Sequence, residues 1–303
     1  MKEKSIFTSL VGSHNYNLNT KESDKDYKRF LIPNFNDLYS KDLIKSESFL
    51  KLLKEKNGEE LDIEYHDIRK IESLFYKANI NFLEVLFSED MEVNSYYEEE
   101  MSELLNLRQE IAKMNLPYLY KACIGMYHNK RKLLTKGTEG TQYVVKKYGY
   151  DTKQAMHCYR VLDFLKRFQK TNFNDFKDAI WYKDDDRIRE CLLRIKDGKL
   201  TLEEVEAMLD RKLAVTTIFC EETYGAQEFD PVTNQKLISI IKKIVKKGLK
   251  REFDCTRNCN YCIYSYLDDG PQGSYSVLCG NNFSKYKQQS VGTNNICRLF
   301  IED

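Results

Sequence analysis

"VGSHNYNLNTKESDKDYKRF", residues 11–30, decides how the chain reads. An apolar run, "SIFTSLV" at residues 5–11, ends on a Gly-Ser pair, and the quoted stretch then opens into "DYKRFLI" at residues 26–32, where polar and apolar positions roughly alternate. Apolar runs of this length, bounded by turn residues, predict two short strands joined by a loop. Gly12, directly after a buried strand, lets the backbone turn sharply with no Cβ in the way, and the residues that follow can offer N–H groups to an anion. Ser13 adds a hydroxyl donor. Asp24 and Asp26 are spaced i and i+2 where the second strand opens, so their side chains share a face and can converge on hard divalent cations.

A third carboxylate on a neighbouring strand would complete a two-metal site. A lysine-rich polar stretch from about 34 to 59 ends in the turn signal "KNGEE", and "LDIEYHDI" at residues 61–68 then alternates like a third strand. Asp62 is the candidate third acid, with Glu64 on the same face as the fallback. From "DIRKIESLFYKANINFLEVLF" to about residue 249, apolar residues recur at three- and four-residue spacing, which predicts a mostly helical region. Within it, Lys153, His157 and Arg160 fall at four- and three-residue steps on one helix face, where they could meet a triphosphate, a polynucleotide backbone or solvent. His14 could touch phosphate or cap a helix following the Gly-Ser turn. Near the end of the region, "KLISIIKKIVKKGLKR" at residues 236–251 reads as a basic amphipathic helix, able to bind RNA or a membrane surface or to pack its apolar face on the domain.

The chain has 303 residues, and its 48 Lys plus Arg against 47 Asp plus Glu leave a formal net charge of +1. Global charge therefore names no partner, and any nucleic-acid surface must be local. The N-terminal apolar run is too short for a secretory signal, and no run of about 18 apolar residues occurs, so a cytoplasmic protein without a membrane partner is expected. Cys123, Cys158, Cys191 and Cys220 lie singly in helix-like surroundings, as buried free thiols do.

The order of strand, Gly-Ser, Asp-x-Asp and a later acidic strand resembles the DNA polymerase beta nucleotidyltransferase superfamily, and most closely the RNA repair pathway DNA polymerase beta family. The likeness extends to the Asn-x-Asn-x-x-Glu-x-Leu segment after the acidic strand, to Tyr-x-x-Lys-x-x-x-His-x-x-Arg at Tyr150, Lys153, His157 and Arg160, and to "LLRIKDGKLTLEEVEAML" at residues 192–209. It covers roughly residues 5–225. The resemblance implies an α+β protein: a small mixed sheet with flanking helices, followed by a mostly helical region. It also implies transfer of an NMP from an NTP such as ATP to a hydroxyl. Asp24, Asp26 and Asp62 would hold two Mg²⁺ ions, and Gly12, Ser13, Lys153, His157 and Arg160 would hold the nucleotide. An RNA 3′ end is the first acceptor the resemblance suggests, a protein side chain the second. A nucleotide- or RNA-binding module without turnover is the rival reading.

The expected organisation is a catalytic core over 1–95, a helical domain over 96–250 and a Cys-rich tail over 251–303. The tail carries Cys255, Cys259 and Cys262 at C-x3-C-x2-C spacing, with Cys279 and Cys297 further on. That spacing also serves iron–sulfur clusters of radical enzymes, but those need a large barrel after the motif, and too little chain follows. The remaining readings are free thiols or a structural Zn²⁺ held by Cys255, Cys259, Cys262 and Cys279, which would stabilise a segment with little core of its own. Metal analysis of the full chain distinguishes them. If the zinc reading holds, about one zinc per chain should be found and a chelator should loosen the tail before the body; a brown protein containing iron and sulfide would defeat it.

Overall fold

The computed structural model describes residues 4–21, 23–41, 43–44, 48–49, 61–256, 265–269 and 275–279. Its first elements are β1 (Ser5–Val11), β2 (Lys25–Leu31), α1 (Phe35–Tyr39), β3 (Ser48–Phe49) and β4 (Leu61–Asp67). α2 (Lys70–Tyr76), α3 (Ile80–Leu83), a 3-10 turn at Glu84–Phe87 and β5 (Met91–Val93) follow. The strands form one mixed sheet in the order β3-β4-β2-β1-β5, with β2 and β4 parallel and the other pairs antiparallel. The two strands read from residues 5–32 are present. The third expected strand is the fourth in the chain, because the two-residue β3 precedes it in the lysine-rich stretch. β5 was not anticipated, since three residues are too few to display a period.

β1 is covered on both faces. Ile6 and Phe7 are fully buried, and the Phe7 ring stacks on Phe30 of β2 with centroids 4.5 Å apart. Burying a side chain of this size stabilises the fold by about 1.5–3 kcal/mol.

The helical region comprises α4 (Glu98–Asn106), α5 (Arg108–Lys113), α6 (Leu116–Leu133), α7 (Gln142–Tyr148), α8 (Thr152–Lys170), α9 (Phe176–Ile180), α10 (Arg187–Lys196), α11 (Leu202–Gly225) and α12 (Pro231–Thr256). Local chemistry sets several ends. Pro117 lies in the first turn of α6, Gly149 closes α7 with φ +80°, and the Asp151 carboxylate accepts the Gln154 N–H at the start of α8. α8 is the hub, packed by α6, α10 and α11, with Ala155, Cys158, Val161, Leu162, Phe164, Leu165 and Phe168 all buried. Sheet and helices share one continuous buried apolar cluster that runs from Ile6 to Ile244.

α12 uses the face expected from its periodicity. Leu237, Ile240, Ile241 and Ile244 are buried, while Lys242, Lys243, Lys246 and Lys250 are exposed. Lys243 pairs with Glu103 and Lys247 with Glu100, both on α4. The helix runs to Thr256, past the composition change near residue 251, and the Phe35 N–H donates to Glu252 at 3.0 Å. Beyond it, β6 (Ser265–Asp269) and β7 (Tyr275–Cys279) pair antiparallel. Cys259, Cys262 and Cys297, and the side chains of Cys255 and Cys279, lie outside the described residues. Among the described residues, no helix is long and apolar enough to cross a membrane.

Gly248 marks where α12 meets the sheet: a Cβ there would collide with the Ile32 side chain and lie 3.0 Å from the Tyr97 hydroxyl. Gly248→Val should therefore destabilise the protein by about 1–3 kcal/mol through overpacking. Denaturant unfolding reads this, and an unchanged midpoint would mean that α12 does not pack there.

Candidate active site

The parallel pairing of β2 with β4 sets Asp26 directly beside Asp62, and Lys28 beside Glu64. Asp24 stands one residue before β2, exposed, and Asp62 is exposed as well, whereas Asp26 is half-buried. Burial holds the Asp26 carboxyl above the ordinary carboxylate range, and the charges of Asp62 and Asp24 push it further the same way. Gly12 ends β1 opposite, with φ +71°, and a Cβ on it would lie 3.0 Å from Asp26 Oδ2. Glycine is thus required twice, for the turn and for the close approach.

Glu64, the fallback acid, is already engaged. His66 Nε2 lies 3.2 Å from one of its oxygens and Lys28 pairs with the other, and these partners hold the carboxyl down at about 2. Asp62 is the acid left beside Asp26. Among the described residues, no three His, Cys, Asp or Glu side chains already converge as a metal-ligand set. Two or three mutually repelling carboxylates at the open end of a sheet fit a Mg²⁺ ion that takes its remaining ligands from water and phosphate, which is how that ion is commonly held.

The loop from Gly12 to Asp24 is pinned by the helical region. Asn17, in a left-handed conformation, donates to the Tyr182 carbonyl at 2.8 Å and to Asp184 at 3.0 Å, and the Tyr182 N–H returns to the Tyr16 carbonyl. Arg189 of α10 donates to the Asn17 carbonyl at 2.8 Å, and Lys196 of the same helix donates to the Leu18 carbonyl at 2.9 Å and to the Ser23 hydroxyl at 3.0 Å. No helix follows the Gly-Ser turn, so His14 does not cap one; its Nε2 lies 3.1 Å from the Ser23 carbonyl. Gly12's own N–H is committed to Glu84 Oε2 at 3.1 Å, which leaves Ser13 and the residues after it to face an anion.

Cations line the opposite wall of a cleft of about 290 Å³, whose boundary includes Gly12, Asp26, Asp62, Glu84, Lys130, His157 and Arg160. Lys153 is exposed on α8, close enough for its charge to oppose the upward shift of Asp26. Burial holds the His157 imidazole well below its ordinary range, aided by the charges of Arg160, Lys130, Lys196 and Lys153, and its Nδ1 is shut from solvent without a hydrogen-bond partner. Arg160 is only 2% exposed, its guanidinium centred 4.0 Å over the Tyr16 ring, with Nε and Nη1 unpartnered. The fourth residue of the helical motif, Tyr150, is structural: its hydroxyl donates to the Leu200 carbonyl.

Lys130, Lys196, Tyr16 and Glu84 were not singled out by sequence reasoning. Lys130 belongs to a basic run that carries no hint of what it faces, and Lys196 comes from a different helix. Glu84 sits in the Asn-x-Asn-x-x-Glu segment, which signalled the family but no role.

A strand, a Gly-Ser turn, Asp-x-Asp and an acid on the adjoining parallel strand define the class as nucleotidyltransferase-type. A family model confirms and narrows it: the chain belongs to the RNA repair pathway DNA polymerase beta family, whose model matches residues 2–231. A comparison with curated proteins found no match.

The raised Asp26 carboxyl has a consequence for stability. Its ionisation opposes folding, so the cost is absent below the ordinary carboxylate range, grows as pH rises through the raised value, and is complete at neutral pH. Without divalent ions at neutral pH, Asp26→Asn should melt higher than the wild type, and the gap should close in acid. Magnesium should raise the wild-type melting temperature more than that of the variant. Equal melting curves would remove the repulsion.

Proposed function

We propose that the protein transfers a nucleoside monophosphate from an NTP to an RNA 3′ hydroxyl, releasing pyrophosphate. The observation that carries this reading is the polarity of the cleft: Asp26 and Asp62 stand side by side with Asp24 at one wall, and basic residues from three helices gather around His157 at the other. Bound magnesium would supply activation of the attacking hydroxyl and charge neutralisation on the departing pyrophosphate. Asp24 and Asp26 would hold both ions, and Asp62 would complete the set on the acceptor side.

The acceptor oxygen bonds to the α-phosphorus as the bond to the β-phosphate oxygen breaks, and the electron pair leaves with pyrophosphate. Asp62, exposed at the mouth, would take the acceptor's proton. Ser13, Lys130 and Lys153 would meet the triphosphate, with the buried Arg160 and the loop-bound Lys196 adding positive charge behind them. His157, kept neutral by its surroundings, contributes a hydrogen bond in place of charge. RNA as acceptor is supported by the family to which the chain belongs, and the lysines around the cleft suit a polyanion.

Incubation with each labelled NTP, magnesium and total RNA tests the reading. Losing one ligand charge from such a site removes several kcal/mol of transition-state stabilisation. Asp24→Asn and Asp26→Asn should therefore lower kcat by about a hundredfold or more with unchanged circular dichroism. Lys153→Ala should weaken NTP affinity, and wild-type affinity should fall with added salt. Wild-type turnover by either aspartate variant would sink the assignment.

A further inference from the structure

Glu84 opens the 3-10 turn after α3, is 2% exposed and lines the floor of the cleft. Its Oε2 accepts the Gly12 N–H at 3.1 Å and Asn15 Nδ2 at 3.3 Å, and its carboxyl is hydrogen-bonded to the Tyr16 hydroxyl. Three residues of the Gly-Ser loop therefore donate to one side chain. Tyr16 in turn supports the Arg160 guanidinium, whose charge also acts on Glu84. A carboxylate this deep costs free energy, and burial holds it above the ordinary carboxylate range in spite of these bonds.

We propose that Glu84 is the positioning residue of the nucleotide site, fixing both the Gly12–Ser13 turn and the Tyr16–Arg160 stack in the geometry that receives the triphosphate. The inference rests on the NTP-binding part of the proposed function. Its chemical basis is the inventory of donors: the Gly12 N–H and the Asn15 amide converge on Oε2, and the Tyr16 hydroxyl, which itself accepts from Arg160, donates to the same carboxylate. In Glu84→Gln the amide oxygen can keep Gly12 and Asn15, but the new NH₂ is a donor facing the Tyr16 hydroxyl, which must give up the bond it donates and turn to accept, disturbing the bond it receives from Arg160. The substitution also removes a negative charge from the wall that would meet phosphate. Charge alone would therefore tighten NTP binding, whereas loss of position weakens it, and the two effects have opposite signs.

The experiment measures binding of each Mg·NTP by calorimetry, together with KM and kcat, for the wild type, Glu84→Gln and Tyr16→Phe. Glu84→Gln should bind NTP at least about tenfold more weakly, the loss appearing mainly in KM. Tyr16→Phe, which changes no charge, should shift affinity the same way by less. The double variant should bind no worse than Glu84→Gln alone, because Phe removes the hydroxyl that the glutamine amide would displace from its bond. Unchanged or tighter binding in a folded Glu84→Gln protein overturns the inference, as does a loss confined to melting temperature. Should Glu84→Gln fail to fold, wild-type affinity in Tyr16→Phe overturns it instead. A wild type that binds no NTP defeats the proposed function itself, a result distinct from any change among the variants.

Discussion

Across the parallel pairing of β2 with β4, Asp26 and Asp62 stand opposite one another with Asp24 close by, and like charges directly opposite on neighbouring strands repel. The sheet tolerates that repulsion because the acids lie at its open end, where Asp24 and Asp62 remain in water. One step along the same two strands, Lys28 and Glu64 occupy the next pair of that face and neutralise each other. The contrast between these adjacent pairs localises the negative charge. A one-residue slip of either strand would bring Asp26 against the other face and dissolve the arrangement, so the apolar residues that fix the register, Ile63 and Tyr65 on β4 and Phe30 and Leu31 on β2, also hold the site.

The positive wall is built differently. Lys130 comes from α6, Lys153, His157 and Arg160 from α8, and Lys196 from α10, so three helices must pack in register before the charges meet. Bringing cations together costs free energy, and the downward shifts at Lys130, His157 and Lys196, led in each case by burial, record it. Cations and carboxylates thus face each other across the cleft, each group incompletely compensated. Within the floor, Glu84 is bonded to the loop it orders, yet burial still holds its carboxyl above the ordinary carboxylate range.

What was legible in the sequence follows from how local its causes are. β1, β2 and β4 could be read because their side chains alternate or run apolar over seven residues, and Asp26 and Asp62 could be paired because each sits at the same point of such a strand. The family resemblance supplied the helical motif that joins Lys153, His157 and Arg160. It did not say that Arg160 would be sealed beneath Tyr16 while Lys153, seven residues earlier on the same helix, would be exposed. Lys130, Lys196 and Glu84 were unreadable for a physical reason. Each acts through a contact made far along the chain, and neither periodicity nor spacing encodes such contacts.

The ten residues between Ser13 and Asp24 also have a physical account. A shorter link could join β1 to β2 as a hairpin, but it could not reach α10. In the chain as it stands, the loop leaves β1 at Gly12, passes over Glu84, meets Tyr182, Arg189 and Lys196 through Tyr16, Asn17, Leu18 and Ser23, and returns to deliver Asp24 beside Asp26. The contacts with Tyr182, Arg189 and Lys196 are hydrogen bonds from one half of the molecule to the other. The position of Asp24 is therefore set by α10 as much as by β2, which makes the carboxylate wall dependent on the same helices that carry the cations. A disturbance in α10 would reach both walls at once.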